Sequence, residues 1–325
     1  TANPIIGLFI GILATSIVQS SSCTTSILVG LVAAGTLPLR SAVPIILGAN
    51  IGTTITNLIV SMGHIGRRQE FSKALAGATV HDFFNLLSVC VFLPLELATH
   101  FIERSAYFLA NLFRDVGGLV VASPLKAVVK PAVHAISWLL EHILSQPAWA
   151  YVVITVVAAL SLLFISLRYM VRLMKLLIIG KVQNVLHNFV FNSTPRSFLL
   201  GLILTAVIQS SSATTSLIVP IVGAGILSIE QIFPYVLGTN IGTTITAILA
   251  ALVIGTEAAL SVAFAHLCFN VSGTLLLYPF RIIPITMSKK FGTIISQKRI
   301  IAPLLLIIFF FIIPLLIIFI INGGI

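Results

Sequence analysis

"QSSSCTTSILVG" (Gln19–Gly30) and "QSSSATTSLIVP" (Gln209–Pro220) are nearly the same string, 190 residues apart. In each, a run of amide and hydroxyl side chains sits inside sequence apolar enough to enter a lipid bilayer. Extended from Gln19 and Gln209, the two copies run 38 positions without a gap and agree at 22 of them, ending at Thr56 and Thr246. After a five-residue deletion the match resumes, with "HDFFN" (His81–Asn85) over "HLCFN" (His266–Asn270) and Pro94 over Pro279. Internal duplication of this kind in a membrane protein marks a transporter whose site lies between the repeats.

The surrounding composition fits that reading. Of 325 residues, 58% are hydrophobic and only 8% charged, and the mean hydropathy is +1.15, against about 25% charged in soluble domains. Segments 148–167 and 301–323 are each long enough for the ~20 residues of a spanning helix. "TANPIIG" at the start carries no basic stretch before a small-residue cleavage site, so a removable signal peptide is not expected. Cys23, Cys90 and Cys268 are an odd number without metal spacing and read as small core hydrophobes. The net charge of +10 is carried by short loops between apolar spans, which is orientation signal and excludes a nucleic-acid patch. His64, His100, His134, His142 and His187 show no ligand spacing, so no metal centre is expected among them.

Charge also orients the halves. The loop after the first copy, 64–73, carries Arg67, Arg68 and Lys73, whereas its counterpart 253–260 has no base and one acid, Glu257. If each QSSS lies at the tip of a re-entrant hairpin, loops 64–73, 168–196 and 281–299 fall on one face with 13 of the 18 Lys and Arg. Arg40 and the connector 94–147 fall on the other, the connector as interfacial helices. The expected fold is therefore an all-α polytopic membrane protein with two inverted-topology repeats, each with a re-entrant helical hairpin and an unwound transmembrane helix. The expected divisions are a first transport repeat, 1–95, and a connector, 96–193, with interfacial helices, one span and a basic segment. A second transport repeat, 194–281, and a basic loop with a C-terminal transmembrane helix, 282–325, follow.

An unpaired polar group in hydrocarbon costs several kcal/mol, so such strings survive at depth only when buried in protein or lining a hydrated cavity. Each half has two: QSSSxTTS, and 29 residues later "GANIGTTIT" (48–56) or "GTNIGTTIT" (238–246). The glycines flanking Asn50 and Asn240 are expected to let the helix unwind there. Lone Ser and Thr often serve as glue between helices, and Thr25, Thr215, Ser26 and Ser216 fit that role individually. A serine nucleophile would occur once, beside a base, and not in symmetric copies. Carbonyl-lined channel filters arise from parallel units around an axis, whereas two inverted repeats suit alternating access. His81 and His266 stand four residues before Asn85 and Asn270 on one helix face, placed to brace the unwound segments. Asp82 has no acidic counterpart at Leu267; as an intramembrane acid it is a functional candidate, or else it pairs near the Arg67–Lys73 loop.

The duplicated QSSS, the duplicated G-[AT]-N-I-G-T-T and "FSKALAGATVHDFFNLLSV" (71–89) resemble the type II sodium-dependent phosphate cotransporter family, over both halves. That resemblance implies symport of inorganic phosphate with sodium at a plasma membrane, the inner membrane in a bacterial cell. It implies a sodium site at Gln209, Ser210, Thr243 and Thr246. Internal symmetry suggests a twin at Gln19, Ser20, Thr53 and Thr56. Phosphate is expected where Ser21 and Ser22 meet Ser211 and Ser212, with Asn50 and Asn240 beside it, supported by His81, Asn85, His266, Asn270 and Asp82. The expected partners are inorganic phosphate, co-transported sodium and the lipid bilayer, with no organic cofactor, no nucleic acid and no catalytic residue; a homodimer is compatible with this reading. Another small anion, a dicarboxylate or sulfate, is the alternative substrate.

Overall fold

A computed structural model describes residues 3–113 and 190–323, together with positions 131, 134, 135, 138 and 154. The expected span at 148–167, the basic segment after it and most of the connector lie outside the described residues. Among the described residues every regular element is helical.

The first half opens with two short helices, α1 (Pro4–Val18) and α2 (Ser21–Ala33). Asn3 caps α1 and Pro4 pre-sets its first turn. The chain reverses at Gln19, which takes the left-handed conformation (φ 56°), and Ser20 then caps α2 by accepting from the Cys23 amide. The second half repeats this chemistry: α7 (Thr194–Ile208) ends at Gln209 (φ 58°), and Ser210 caps α8 (Ser211–Gly223) by accepting from the Ala213 amide. A non-glycine residue at that φ costs about 1–2 kcal/mol, so both hairpins place the same strain at the same polar residue. At 15 and 13 residues, all four helices fall short of the ~20 needed to cross a bilayer.

The remaining helices follow. In the first half they are α3 (Leu39–Gly52), α4 (Ile55–Met62), α5 (Arg68–Thr99) and α6 (Phe101–Leu112). In the second they are α9 (Ile229–Ile254), α10 (Glu257–Leu277) and α11 (Ile282–Gln297), and the described chain ends with α12 (Arg299–Ile321), which carries a π-helical turn over Ile308–Ile312. Thus α5 runs on past the expected repeat boundary at residue 95. The described stretch of connector forms α6, which buries Ile102, Ala106 and Ala110 on one face against α10.

Of the unwound helices expected at Asn50 and Asn240, only the first half shows an interruption, between Gly52 and Ile55. Helix α9 is continuous from Ile229 to Ile254 through Asn240 and Thr243. In the first half there is only a tightened turn: Thr53 and Thr54 keep helical angles, and the Thr54 amide bonds Ile51 O at 3.4 Å. The glycines serve another purpose. A Cβ on Gly48 would stand 1.9 Å from Leu8 O, and one on Gly52 would stand 2.6 Å from Ile12 O. In the other half, Gly238 would meet Phe198 O at 2.0 Å and Gly242 would meet Leu202 O at 2.6 Å. Each Gly-x-x-x-Gly pair therefore lets a long helix touch the first hairpin helix backbone to backbone, as small residues do in membrane packing.

The two halves interlock by reciprocal contacts. Helix α2 packs on α9 and α10 of the other half, and α8 packs on α4 and α5; α6 packs on α10, and α11 on α5. Phe84 of α5 meets Phe233 of α9 edge-on, and Phe92 of α5 meets Phe269 of α10 likewise. Basic residues gather at one end. Arg299 donates to Ile65 O and Gly66 O at 2.9 and 2.8 Å, and Lys289 of α11 pairs with Glu230 at the start of α9. Helices α5 and α9 both start from this end. The far end of α5 meets α6, which lies against α10.

Candidate substrate and ion site

The two hairpin tips meet. The Ser212 hydroxyl, on the first turn of α8, lies 3.3 Å from Gln19 O and 3.4 Å from Thr53 O. Ser21, Ser22, Ser211 and Ser212 are all buried. Each hairpin is stapled internally by a threonine pair, Thr15 Oγ1 to Thr24 Oγ1 at 3.0 Å and Thr205 Oγ1 to Thr214 Oγ1 at 3.1 Å. The structure thus brings the polar strings of both halves to one place without any Lys or Arg in either string.

Of the expected sodium ligands, Ser20 and Ser210 use their hydroxyl oxygens as helix caps. Thr53 and Thr243 donate back to the carbonyls of Ala49 and Thr239, leaving oxygen lone pairs free. Thr56 and Thr246, which correspond, both have a buried Oγ1 without any hydrogen-bond partner. A buried hydroxyl left unpaired is rare enough to require an explanation, such as an ion.

Asn50 and Asn240 build a network across the interface between halves. His81 Nε2 lies 2.8 Å from Asn240 Oδ1 and 3.1 Å from Asn85 Nδ2, and His266 Nε2 lies 3.3 Å from Asn50 Oδ1. Asn240 Nδ2 donates to Asn85 Oδ1, and Asn85 Nδ2 to Asn50 O, each at 2.9 Å. The corresponding Asn270 has both amide atoms buried without a partner.

Asp82 meets the Thr54 hydroxyl, and its Oδ1 is buried without a partner. It lines a cavity of about 470 Å³ with apolar side chains of α1, α5 and α12. Lys73, the nearest of the expected basic partners, precedes Asp82 by nine residues, about 13 Å along α5 and on the opposite face of the helix, so Asp82 does not pair with Arg67, Arg68 or Lys73. The start of α5 is braced by Glu70, which takes His64 Nδ1 at 3.1 Å and Arg67 at 2.7 Å.

Three features were not read from the sequence. Thr215 donates to Asn57 Oδ1 at 2.8 Å; the position corresponding to Asn57 is Ala247, and Thr25, the counterpart of Thr215, has a buried hydroxyl without a partner. Comparing Asn57 with Ala247, one residue beyond the aligned string, was the available signal. The third is Glu96, which is buried and accepts from the Ile102 and Glu103 amides at 2.6 and 3.3 Å, capping α6. Glu96, His100 and Glu103 bring their ligand atoms within 4.8 Å of one another. The left-handed turn at His100 (φ 55°), which brings Glu103 back beside Glu96, leaves no mark in the sequence spacing.

Comparison with known proteins supplies a family. The profile described as Na+/Pi-cotransporter matches residues 1–104 and 162–295. Sodium-dependent phosphate transport protein 2B of Homo sapiens is 36% identical over 386 residues, 92% of this chain and 56% of that protein. The 2B protein of Pongo abelii shows the same identity and coverage. Sodium-dependent phosphate transport protein 2A of Rattus norvegicus is 35% identical over 360 residues, 90% of this chain and 56% of that protein. The chain thus spans a little over half the length of these relatives. No solved structure matches it.

Proposed function

The chain belongs to the Na+/Pi-cotransporter family, and on that premise we propose that it is a secondary active symporter importing inorganic phosphate with sodium by alternating access. One observation carries the reading: polar strings from both halves converge, with Ser212 of one tip against Gln19 O of the other and Thr53 O.

The two halves are inverted repeats about an axis in the membrane plane. Reciprocal contacts of the kind His81–Asn240 and His266–Asn50 are what a two-fold relation produces. The basic end that holds Arg67, Arg68, Lys289 and Arg299 is the cytoplasmic one by the positive-inside rule. Each hairpin, too short to cross, enters and leaves on one side and is re-entrant. The membrane is the plasma membrane, and no residue has a catalytic role.

Phosphate sits between Ser21, Ser22, Ser211 and Ser212, with donors from the N-terminal amides of α2 and α8. Asn50 and Asn240 hold the long helices beside the anion. Sodium binds to Gln209, Ser210, Thr243 and Thr246, with the twin set Gln19, Ser20, Thr53 and Thr56; neutral oxygens suit a hard cation. With no basic side chain in the strings, an anion there without sodium is an uncompensated buried charge, which couples the two ions.

The test is uptake into proteoliposomes of labelled phosphate, sulfate and succinate, with and without an inward sodium gradient. Concentrative phosphate uptake that needs the gradient supports the proposal. Preference for sulfate or succinate assigns another anion, and uptake that never exceeds equilibrium makes the protein a channel.

A further inference from the structure

Exchanging the halves maps Asn50 onto Asn240, His81 onto His266, and Asn85 onto Asn270, so the interface network has two arms that the repeat makes equivalent. They are not in the same state. In the first arm Asn85 is fully engaged, accepting from Asn240 Nδ2 and donating to Asn50 O, each at 2.9 Å. The equivalent bonds of the second arm run from Asn50 Nδ2 to Asn270 Oδ1 and from Asn270 Nδ2 to Asn240 O. Neither is made: Asn50 Nδ2 turns back to Ile46 O at 2.9 Å, and both amide atoms of the fully buried Asn270 lack a partner. The histidine bond is likewise 3.3 Å in the second arm against 2.8 Å in the first.

The backbone explains which arm is closed. In an unbroken helix Asn50 O would accept from the Thr54 amide four residues on. At the tightened turn that amide goes to Ile51 O instead, and Asn85 Nδ2 takes the released carbonyl. Helix α9 has no such turn, so Asn240 O is occupied by its own helix and Asn270 finds no acceptor. A closed arm and an interrupted helix therefore belong together.

We propose that Asn85 and Asn270 are alternating positioning residues of the transport cycle. In this state Asn85 holds α3 and α4 apart at Thr53–Thr54. In the opposite-facing state Asn270 captures Asn240 O, α9 opens at Thr243–Thr244, and α3 and α4 close into one helix. The interruption would then pass between the two threonine pairs that flank the hairpin tips, so that only one set of tip-facing carbonyls is released at a time. This rests on the inverted-repeat transport reading.

The test is hydrogen–deuterium exchange of the protein in lipid nanodiscs, without sodium or phosphate, comparing the segments 50–56 and 240–246. In the unsubstituted protein, segment 50–56 exchanges faster. Asn85→Ala should lower the ratio of the two rates about ten-fold, and Asn270→Ala should raise it by a similar factor, since each removes bonds from one state only. The double substitution should return the ratio to near its starting value, which a merely structural role would not do. Shifts of the same sign, or none, overturn the proposal; if an alanine variant does not fold, the serine variants test the same signs. Because no substrate is present, failure here is separate from failure of the uptake panel, which would instead overturn the assignment of phosphate and sodium.

Discussion

Replacing Thr246 by Val tests the sodium site with two independent readouts. Thr246 is 7% exposed, and its Oγ1 is buried without a partner. Valine keeps the branched shape and removes only the hydroxyl, so no bond within the protein is lost. Without sodium, the variant should be as stable as the parent, or more stable by about 1 kcal/mol, because an unpaired buried group is gone. With sodium the sign reverses. A bond between a hydroxyl and a charged group contributes about 1.5–3 kcal/mol, roughly a 10- to 100-fold loss in sodium affinity. At a sodium concentration about 100 times the parent's Kd, binding stabilises the parent by about 2.7 kcal/mol. A variant bound about 30-fold more weakly would gain only about 0.9 kcal/mol. The assays are melting of purified protein across a sodium titration, and phosphate uptake as a function of sodium. If neither the sodium-induced stabilisation nor the sodium dependence of uptake moves, Thr246 is not a ligand and its unpaired hydroxyl needs another explanation.

Ser212→Ala removes a hydroxyl that makes only long contacts to Gln19 O and Thr53 O, so the fold should persist while phosphate affinity falls about 10- to 100-fold; uptake at varied phosphate checks it, and Ser22→Ala should cost a similar factor. Gly238→Ala drives a Cβ to 2.0 Å from Phe198 O; backbone must move, so the loss should exceed about 3 kcal/mol, seen as aggregation or a collapsed melting temperature. Thr215→Val and Thr25→Val should differ in sign. The first strands Asn57 Oδ1 and costs about 1–3 kcal/mol, whereas the second removes an unpaired hydroxyl and is neutral or stabilising, as thermal melting would show.

Much of the architecture could be read from the duplicated string because hairpin chemistry is local. Glutamine then serine, repeated 190 residues apart, marks both reversals, and the same two residues supply the left-handed turn and the helix cap. The glycines misled for a physical reason. A glycine beside a polar residue can relax the backbone or admit a neighbouring backbone, and only the partner helix decides which. Gly48 and Gly52, like Gly238 and Gly242, are four apart and so share a face; spacing favoured packing, while the asparagine between them drew attention to unwinding. The Asn–His network was half legible. Recurrence of His81 with Asn85 and of His266 with Asn270 flagged those residues, but partners 155 to 216 residues away leave no local trace.

What the repeat could not reveal is where its two copies have diverged in state. Identical side chains at corresponding positions lead a reader to expect identical bonds, yet Asn85 is saturated and Asn270 is bare. Two causes differ in kind. At Asn57 against Ala247 the asymmetry is covalent and permanent, so the unpaired Thr25 hydroxyl belongs to every conformation in which α2 lies against α9. At Asn85 against Asn270 the residues are the same, so the asymmetry is conformational and an exchange of roles costs no chemistry. A protein that must present one site to two sides needs such an element, in which the two arrangements are close in free energy and ligands select between them. In the proposed reading phosphate and sodium sit at the hairpin tips beside Thr53 and Thr243, where the helix is interrupted in one half and continuous in the other. Binding there can bias the exchange directly, without a signal relayed through the rest of the fold.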